Sequence, residues 1–464
     1  MMLSSSTLLL SGGALSNSGS ALALEGPAQA ATLGENCTSF VLSNGLRFIV
    51  LERHNAPIVS CHTLASVGAG NEPEGFTGLA HLLEHMAFKG TQQIGTADYK
   101  REAAILDACD EEFYTAQAAL DAGDTEAAQP HLRMLRELEA EAAKLQLPNA
   151  YGSLMSQQGG VGLNAGTNHD ETKYYISLPA NKLELWMAVE SSRWRAPVFR
   201  ELYSEKEVIK EERRMRVDNA RFGPFTEAFA ETAFPERPYG RPVVGTVEDF
   251  ARLGRREVEG FFTAKYRPQT LTCAVVGDVD PRQVRQLAER YFGKWSPPVD
   301  AAAAAQWTDI PGAALPAPRG AGPRELRMSL PTGPLLMDGY YRPAGDDPDS
   351  LVYAVMSDLL DGGRASRLST SVMDRGLALY ATCFSAYPGD KYPSLFLVQG
   401  VPAQGVSTDE LAKALRKELQ ALVDTPVSEV ELRRVKKKTR SALLELMTST
   451  SRTAELLCQF QARQ

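Results

Sequence analysis

The pattern of apolar and polar positions predicts a fold that mixes strands and helices. Residues 172–178 are rich in β-branched and aromatic side chains, which is typical of a strand. A continuous apolar run over 270–280 predicts a second, buried strand, and 282–295 follows as an amphipathic helix. Alanine, leucine and glutamate dominate 100–149, and a turn at 122–125 separates its two periodic segments. This stretch therefore predicts a helical hairpin.

A shorter helix carries the residues with the clearest chemistry. Thr77 is placed to cap its start and Gly90 to end it, and no proline interrupts the run. His81 and His85 are one helical turn apart, so both imidazoles can reach one metal ion. Glu84 would lie beside a metal-bound water and is the candidate general base of a zinc hydrolase. The alternative is that both histidines are ordinary polar residues at the margin of an apolar helix.

The order H-x-x-E-H is a metallopeptidase signature, and here the chain resembles the inverzincins, peptidase family M16, which include pitrilysin, insulin-degrading enzyme and mitochondrial-processing peptidase. In that family a later helix carries two glutamates seven residues apart around a Val-Ile pair, as at 205–212 here. The resemblance implies one Zn²⁺ per chain, held by His81, His85 and Glu212. It also makes Glu205 a carboxylate that supports a ligand. Glu211 is the alternative ligand if the register shifts by one, and a solvated charged helix is the alternative for the whole segment.

The resemblance also assigns a substrate strand within the glycine-rich stretch 159–167. It implies that Asn164 and Ala165 lie on a sheet edge where the backbone of a peptide substrate pairs with the enzyme. Small residues let a peptide approach an edge closely, and main-chain pairing demands little of the peptide sequence. A plain bulge or hairpin is the alternative. His131 and His169 are interpreted as surface residues.

For the fold, the resemblance implies an α+β protein with two related domains, each a mostly antiparallel sheet with helices packed on one face. The second half contains no histidine, so it is predicted to be non-catalytic. The predicted divisions are a targeting or disordered segment (1–36), a catalytic domain (37–296) with the helical hairpin as an insertion (about 100–149), a linker rich in alanine, proline and glycine (297–323), and the second domain (324–464).

Two features of the second half differ from the family pattern. An arginine and a tyrosine seven residues apart often touch substrate there, but Met373 stands seven residues before Tyr380. One helix is predicted over about 428–464, and no counterpart of the first half's closing strand and helix follows it. The second domain is therefore predicted to be truncated. We expect the chain to pair as a homodimer, or as a heterodimer with a second peptidase-like half.

Charge and composition favour some binding partners and locations over others. The net charge of −8 argues against nucleic acid and mildly favours a cavity that attracts basic peptides. No apolar run is long enough to span a bilayer. The six cysteines are dispersed without a C-x-x-C, so they predict neither a zinc ribbon nor a disulfide framework. Residues 1–46 lack Lys and Arg but offer small-residue cleavage sites. The protein is expected to lie in an organelle, either a plastid or a mitochondrion, or to be exported or periplasmic.

These features together predict a zinc-dependent endopeptidase that hydrolyses unfolded peptides or presequences inside a clamshell chamber. One alternative is the catalytic, β-like half of a heterodimeric processing peptidase. The other is a structural subunit that has lost peptidase activity, although such members typically lose motif residues that this chain keeps.

Overall fold

The architecture is that of a two-sheet α and β protein, as the sequence predicts. A computed structural model describes residues 36–235, 238–297, 306–307 and 322–462. Most of the predicted targeting segment and most of the predicted linker lie outside the described residues. One sheet has six strands and belongs to the first half of the chain, and the other has three strands and belongs to the second half.

The six-stranded sheet places its strands in the order β1-β2-β6-β3-β5-β4, so β4 lies at an edge. Its β2 and β6 are parallel and the other neighbouring pairs are antiparallel. The strands predicted over 172–178 and 270–280 correspond to β5 and β6. The six strands are β1 (Cys37–Val41), β2 (Arg47–Glu52), β3 (Ile58–Ala65), β4 (Val161–Thr167), β5 (Thr172–Pro179) and β6 (Leu271–Gly277).

Ten α-helices of the described first half accompany this sheet, and several share its main apolar core. They are α1 (Leu79–Met86), α2 (Tyr99–Asp121), α3 (Thr125–Ala143), α4 (Ala150–Gln157), α5 (Leu183–Arg195), α6 (Leu202–Arg213), α7 (Gly223–Ala233), α8 (Val247–Arg252), α9 (Arg255–Lys265) and α10 (Pro281–Phe292). Helices α2 and α3 confirm the predicted hairpin, and Asp98 and Asp124 cap their starts. Helix α10 confirms the amphipathic helix but ends three residues before 295.

The second half is built on a small antiparallel sheet with its own core. The strands are β7 (Leu336–Arg342), β8 (Ala378–Tyr387) and β9 (Ser394–Pro402), in the order β7-β9-β8. The helices are α11 (Ser350–Asp361), α12 (Thr408–Asp424), α13 (Glu429–Leu446) and α14 (Thr450–Ala462). Leu360, Val398 and Leu411 are fully buried in the core that α11 and α12 form with this sheet.

The prediction of a single helix over 428–464 is wrong, because the helix is interrupted between α13 and α14. Helix α14 packs on the first sheet. Ala454 and Cys458 of α14 join a separate apolar cluster with Leu64 and Val276. Alternate residues along β3 and β6 belong to the main core, so this cluster lies on the opposite face of the sheet. The first sheet thus has helices on both faces, where they were expected on one face, and this matches the buried, continuous apolar run of β6.

A buried histidine lies in this contact and predicts its response to acid. His62 is 3% exposed, stacks on Tyr175 with ring centroids 5.1 Å apart, and has Nε2 2.9 Å from Ser451 Oγ of α14. Burial lowers the pKa of His62 to about 4. The charged form is therefore disfavoured in the folded protein. The contribution of neutral His62 to the stability of the fold is fully present above the unfolded pKa of about 6.5, and it is lost as the pH falls toward 4.

We expect the free energy of unfolding to fall by roughly 3 kcal/mol between pH 6.5 and pH 4 through this residue. His62→Gln should remove that part of the pH dependence, whereas His131→Gln, on the surface of the hairpin, should keep it. Urea unfolding followed by tryptophan fluorescence is suitable, because all four tryptophans lie between 186 and 307. An unchanged pH profile in His62→Gln would contradict the assignment.

Candidate metal centre

Helix α1 begins with a buried carboxylate at its N-terminus, and Thr77 is not its cap. Glu72 is fully buried and accepts hydrogen bonds from Gly78 N at 2.8 Å and Ala80 N at 2.7 Å. Burial raises the pKa of Glu72 to about 8, against the opposing effect of these two N–H groups. Thr77 fails as a cap because its hydroxyl donates to Asp249 and accepts from the loop before α8 instead.

The two histidines of α1 face the carboxylate of Glu212 on α6. Their ring centroids are 4.8 Å apart. His81 Nε2 lies 3.5 Å from Glu212 Oε1, and His85 Nε2 lies 3.4 Å from Glu212 Oε2. One ligand atom from each residue lies within 4.8 Å of the others, which makes the three a candidate metal site. Glu211, the alternative ligand, points away and pairs with Arg214 at the surface.

Glu205 lies one step behind this group, on the same helix as Glu212. Its Oε1 is 2.9 Å from His85 Nδ1, and its Oε2 is 2.6 Å from Lys89 Nζ. Burial disfavours the charged His85, but hydrogen bonds to Glu205 and Glu212 outweigh that effect and raise its pKa to about 9. Burial also opposes ionisation of Glu205, yet His85 and Lys89 lower its pKa.

These residues suit zinc by their chemistry. Two imidazoles and one carboxylate are a donor set of hydrolytic zinc sites, which leave one position for water. The carboxylate of Glu205 accepts from His85 Nδ1, which leaves Nε2 as the ring nitrogen that faces Glu212, as in carboxylate-supported histidine ligands. For Glu212, burial opposes ionisation, but hydrogen bonds from both histidines lower its pKa. The carboxylate is therefore ready to bind a cation.

Glu84 is on the same helix but faces the edge strand β4. Thr167 Oγ1 of β4 donates a hydrogen bond of 2.6 Å to Glu84 Oε2. Asn164 and Ala165 are in β4, where Asn164 is exposed and its side chain accepts from Ala165 N. The strand pairs with β5 on one side only within the described fold, so its other backbone edge borders the site.

Sequence reasoning missed four side chains that hold this site together. They are Glu72, Lys89, Thr167 and Arg216, which contacts Glu212 Oε1 at 2.5 Å. A basic residue four positions after His85 was a visible helical-spacing signal for Lys89, and a basic residue four positions after Glu212 was the same signal for Arg216. Glu72 depends on a turn that carries it back to the start of α1, and Thr167 depends on a contact between segments 83 residues apart.

His169 is a correction, since it is half-buried instead of lying on the surface. Its Nε2 is 3.0 Å from Arg241 O, and its ring meets Tyr239 edge to face. Burial lowers the pKa of His169. His131 lies on the hairpin beside Glu112, far from the three candidate ligands in the sequence, and takes no part in the site.

Comparison with known families agrees with this geometry. The description "Insulinase (Peptidase family M16)" matches residues 47–108, which include the histidine helix, and "Peptidase M16 inactive domain" matches 252–439. The chain belongs to peptidase family M16. The M16 fold is also seen in a solved protease from Helicobacter pylori, with a TM-score of 0.74 at 22% identity over 92% of this chain and 89% of that one.

Relatives of this M16 chain carry names of two kinds. The zinc protease PqqE of Helicobacter pylori is 24% identical over 91% of this chain and 82% of its own length. A probable mitochondrial-processing peptidase subunit beta of Schizosaccharomyces pombe is 26% identical over 89% of this chain and 79% of its own. The first half of the periplasmic protease PqqL from Escherichia coli has a similar fold, with a TM-score of 0.58. Among the described helices, none has the length and apolar character needed to cross a membrane.

Glu205 gives a prediction for metal affinity. Glu205→Gln should weaken zinc binding by about 10- to 100-fold, because an amide holds the His85 N–H less strongly and leaves Lys89 without one partner. Glu207→Gln is the matched control, since Glu207 is on the same helix but exposed and paired with Lys210. Competition with a zinc chelator measures both affinities. Equal affinities in the two variants would show that Glu205 does not support the ligand.

Proposed function

We propose that this M16 chain is a zinc-dependent endopeptidase that hydrolyses unfolded peptides or presequences in a chamber formed with a second peptidase-like half. The observation that carries the proposal is the convergence of His81, His85 and Glu212 within 4.8 Å, with Glu84 on the same helix. A solvated charged helix would not direct Glu212 toward two buried imidazoles. A structural subunit would have no need for this combination of donors and base.

In the proposed mechanism His81, His85 and Glu212 hold one Zn²⁺ per chain. Bound zinc supplies a Lewis acid that makes water nucleophilic near neutral pH. Glu84 takes the proton from the attacking water and passes it to the leaving amine as the peptide bond breaks. Thr167 keeps the Glu84 carboxylate directed toward β4, along which the peptide is proposed to lie.

Substrate binding is proposed to occur by strand addition to β4. Its unpaired edge presents backbone N–H and C=O groups that an extended peptide can satisfy. Asn164 and Ala165 would then flank the peptide backbone near Glu84, and small residues there allow close approach. Such pairing selects for an extended, unfolded segment more than for a particular sequence. A cleft with net negative surroundings would favour basic peptides, of which presequences are one kind.

We also propose a division of the chain into domains and a location for the protein. We propose a catalytic domain over 37–296, with an insertion at about 100–149, and a non-catalytic domain over 324–464. The two sheets with their own cores support this division, and α14 of the second half lies on the first sheet. An organellar or periplasmic location is compatible with the names of relatives, which include mitochondrial and periplasmic proteases.

The role of Glu84 has a direct test. Glu84→Gln should keep zinc but reduce cleavage of an unstructured basic peptide by a factor of at least about 100, because an amide cannot accept the proton. His81→Ala is the contrast, since it should lose both zinc and cleavage. Elemental analysis and peptide turnover are measured on the same samples. Near wild-type turnover in Glu84→Gln would identify another base, and full zinc content in His81→Ala would refute the ligand assignment.

The second candidate is the catalytic half of a heterodimer, which the resemblance to mitochondrial-processing peptidase subunits beta favours. The second half of this chain lacks histidines and the Arg/Tyr pair, so the chamber needs a further half from another copy or another chain. We expect weak turnover by dilute protein and a steep rise with concentration or with an added partner half. A substrate that is displaced by about an ångström can react about 100-fold more slowly.

Turnover measured against concentration, with mass determined in parallel, separates these possibilities. A rise in specific activity that follows dimer formation supports self-pairing. Zinc-loaded protein that gains activity only with a partner supports the heterodimer. Full activity as a monodisperse monomer would refute the need for a second half, and absence of cleavage in every assembly would favour a structural subunit.

A further inference from the structure

The turn between β4 and β5 connects the proposed catalytic carboxylate with the second half of the chain. At one end of the turn, Thr167 donates to Glu84 at 2.6 Å. Thr167 pairs across the hairpin with Thr172, and the two hydroxyl oxygens are 3.3 Å apart. Thr172 is fully buried and donates to Val67 O at 2.9 Å. The orientation of the Glu84 carboxylate therefore depends on the conformation of this hairpin.

At the tip of the same turn, Asp170 receives the loop that joins β8 and β9 in the second half. Its Oδ2 accepts from Asp390 N at 2.7 Å and from Lys391 N at 3.1 Å. Its Oδ1 accepts from Tyr239 OH at 2.7 Å, and that phenolic oxygen accepts from Tyr392 N at 2.9 Å. One carboxylate thus collects donors from both halves of the chain.

The close fit of the loop against the turn is shown by Gly389. A Cβ at this position would lie 2.6 Å from Asp170 Oδ2 and 2.7 Å from the Tyr239 ring. No residue larger than glycine fits without moving the turn. The loop itself is anchored to β7, because Asp390 pairs with the buried Arg342 at 3.0 Å. Its position therefore follows the second half as a unit.

The turn has little freedom apart from this contact. Asn168 Oδ1 accepts from Asp170 N at 2.7 Å and from Glu171 N at 2.9 Å, which closes an Asx-type turn. Asn168 O accepts from Ala69 N at 3.0 Å. The turn is therefore held as a unit, and Thr167 is the residue that directly precedes it in β4.

We propose that the 168–171 turn is a positioning element that couples the seating of the second half to the orientation of Glu84, with Asp170 receiving the loop and Thr167 holding the carboxylate. The inference rests on the proposed function for its catalytic consequence. Its structural content is independent of catalysis. Without the N–H groups of the loop, Asp170 loses two of its three donors and keeps only Tyr239 OH, the hairpin opens more often, and Thr167 leaves Glu84 for part of the time.

The test uses Thr167→Val, Thr167→Ser, Asp170→Asn and the double variant Thr167→Val with Asp170→Asn, all loaded with zinc. Thr167→Val should lower kcat about tenfold or more with little change in KM and unchanged zinc content, because binding persists while the base is misdirected. Thr167→Ser keeps the hydroxyl and should restore most of kcat. Asp170→Asn leaves one acceptor oxygen where the carboxylate has two, so either the loop N–H groups or Tyr239 OH loses its acceptor, and kcat should fall by a smaller factor.

The double variant decides whether the two residues act as one path. If Asp170 acts through Thr167, the double variant loses no more activity than Thr167→Val alone. Multiplied losses would overturn the coupling. Arg53→Gln is the control, since Arg53, which directly follows β2, donates at 2.7 Å to Met447 O of the second half. Its effect should multiply with that of Thr167→Val.

Hydrogen exchange on the metal-free protein gives a readout that does not require activity. Asp170→Asn should speed amide exchange over 161–172, whereas Arg53→Gln should leave that segment unchanged. Wild-type protein that cleaves no peptide would count against the proposed function while the exchange result still decides the coupling. Unchanged exchange over 161–172 in Asp170→Asn would overturn the positioning element.

Discussion

The packing of α1 against α6 in the main core is the constraint on which the candidate site depends. Leu82 and Ile209 are fully buried and Met86 is 1% exposed, so each helix presents an apolar side to the common core. The other sides carry His81 and His85 on α1 and Glu212 on α6, and meet at the surface of that core. Interiors are close-packed, and this packing fixes the separation of the donors.

The polar groups around the site are arranged so that buried charges compensate one another. His85, Lys89 and Arg216 face Glu205 and Glu212. Glu72, whose pKa burial raises to about 8, accepts hydrogen bonds from the N–H groups at the start of α1. A buried carboxylate without partners would be costly, and each one here has at least one donor. The site can thus carry the four carboxyl groups of Glu72, Glu84, Glu205 and Glu212 beside two imidazoles.

Much of this arrangement was predictable from sequence because it is local or periodic. The helical spacing of His81 and His85 and the seven-residue spacing of Glu205 and Glu212 place each pair on one face of a helix. The resemblance to family M16 then predicted that the two helices contribute ligands to one metal site. Glu72 was not predictable, since its role as a cap depends on a turn that carries it back to α1. Thr167 was equally hidden, because a threonine in a strand is common and its partner is 83 residues away.

The position of α14 was the largest departure from expectation, and its cause is the sheet itself. Leu64 of β3 and Val276 of β6 face away from the main core, so that side of the sheet needs an apolar cover. This cover is provided by α14, the last described helix of the chain. The second half therefore supplies part of the apolar cover of the first sheet. Helix α14 contacts β3, β6 and β5, and β5 pairs with β4, the strand that carries Thr167 beside Glu84. A shift of α14 would act on these strands first and would reach the edge strand beside the candidate site through β5.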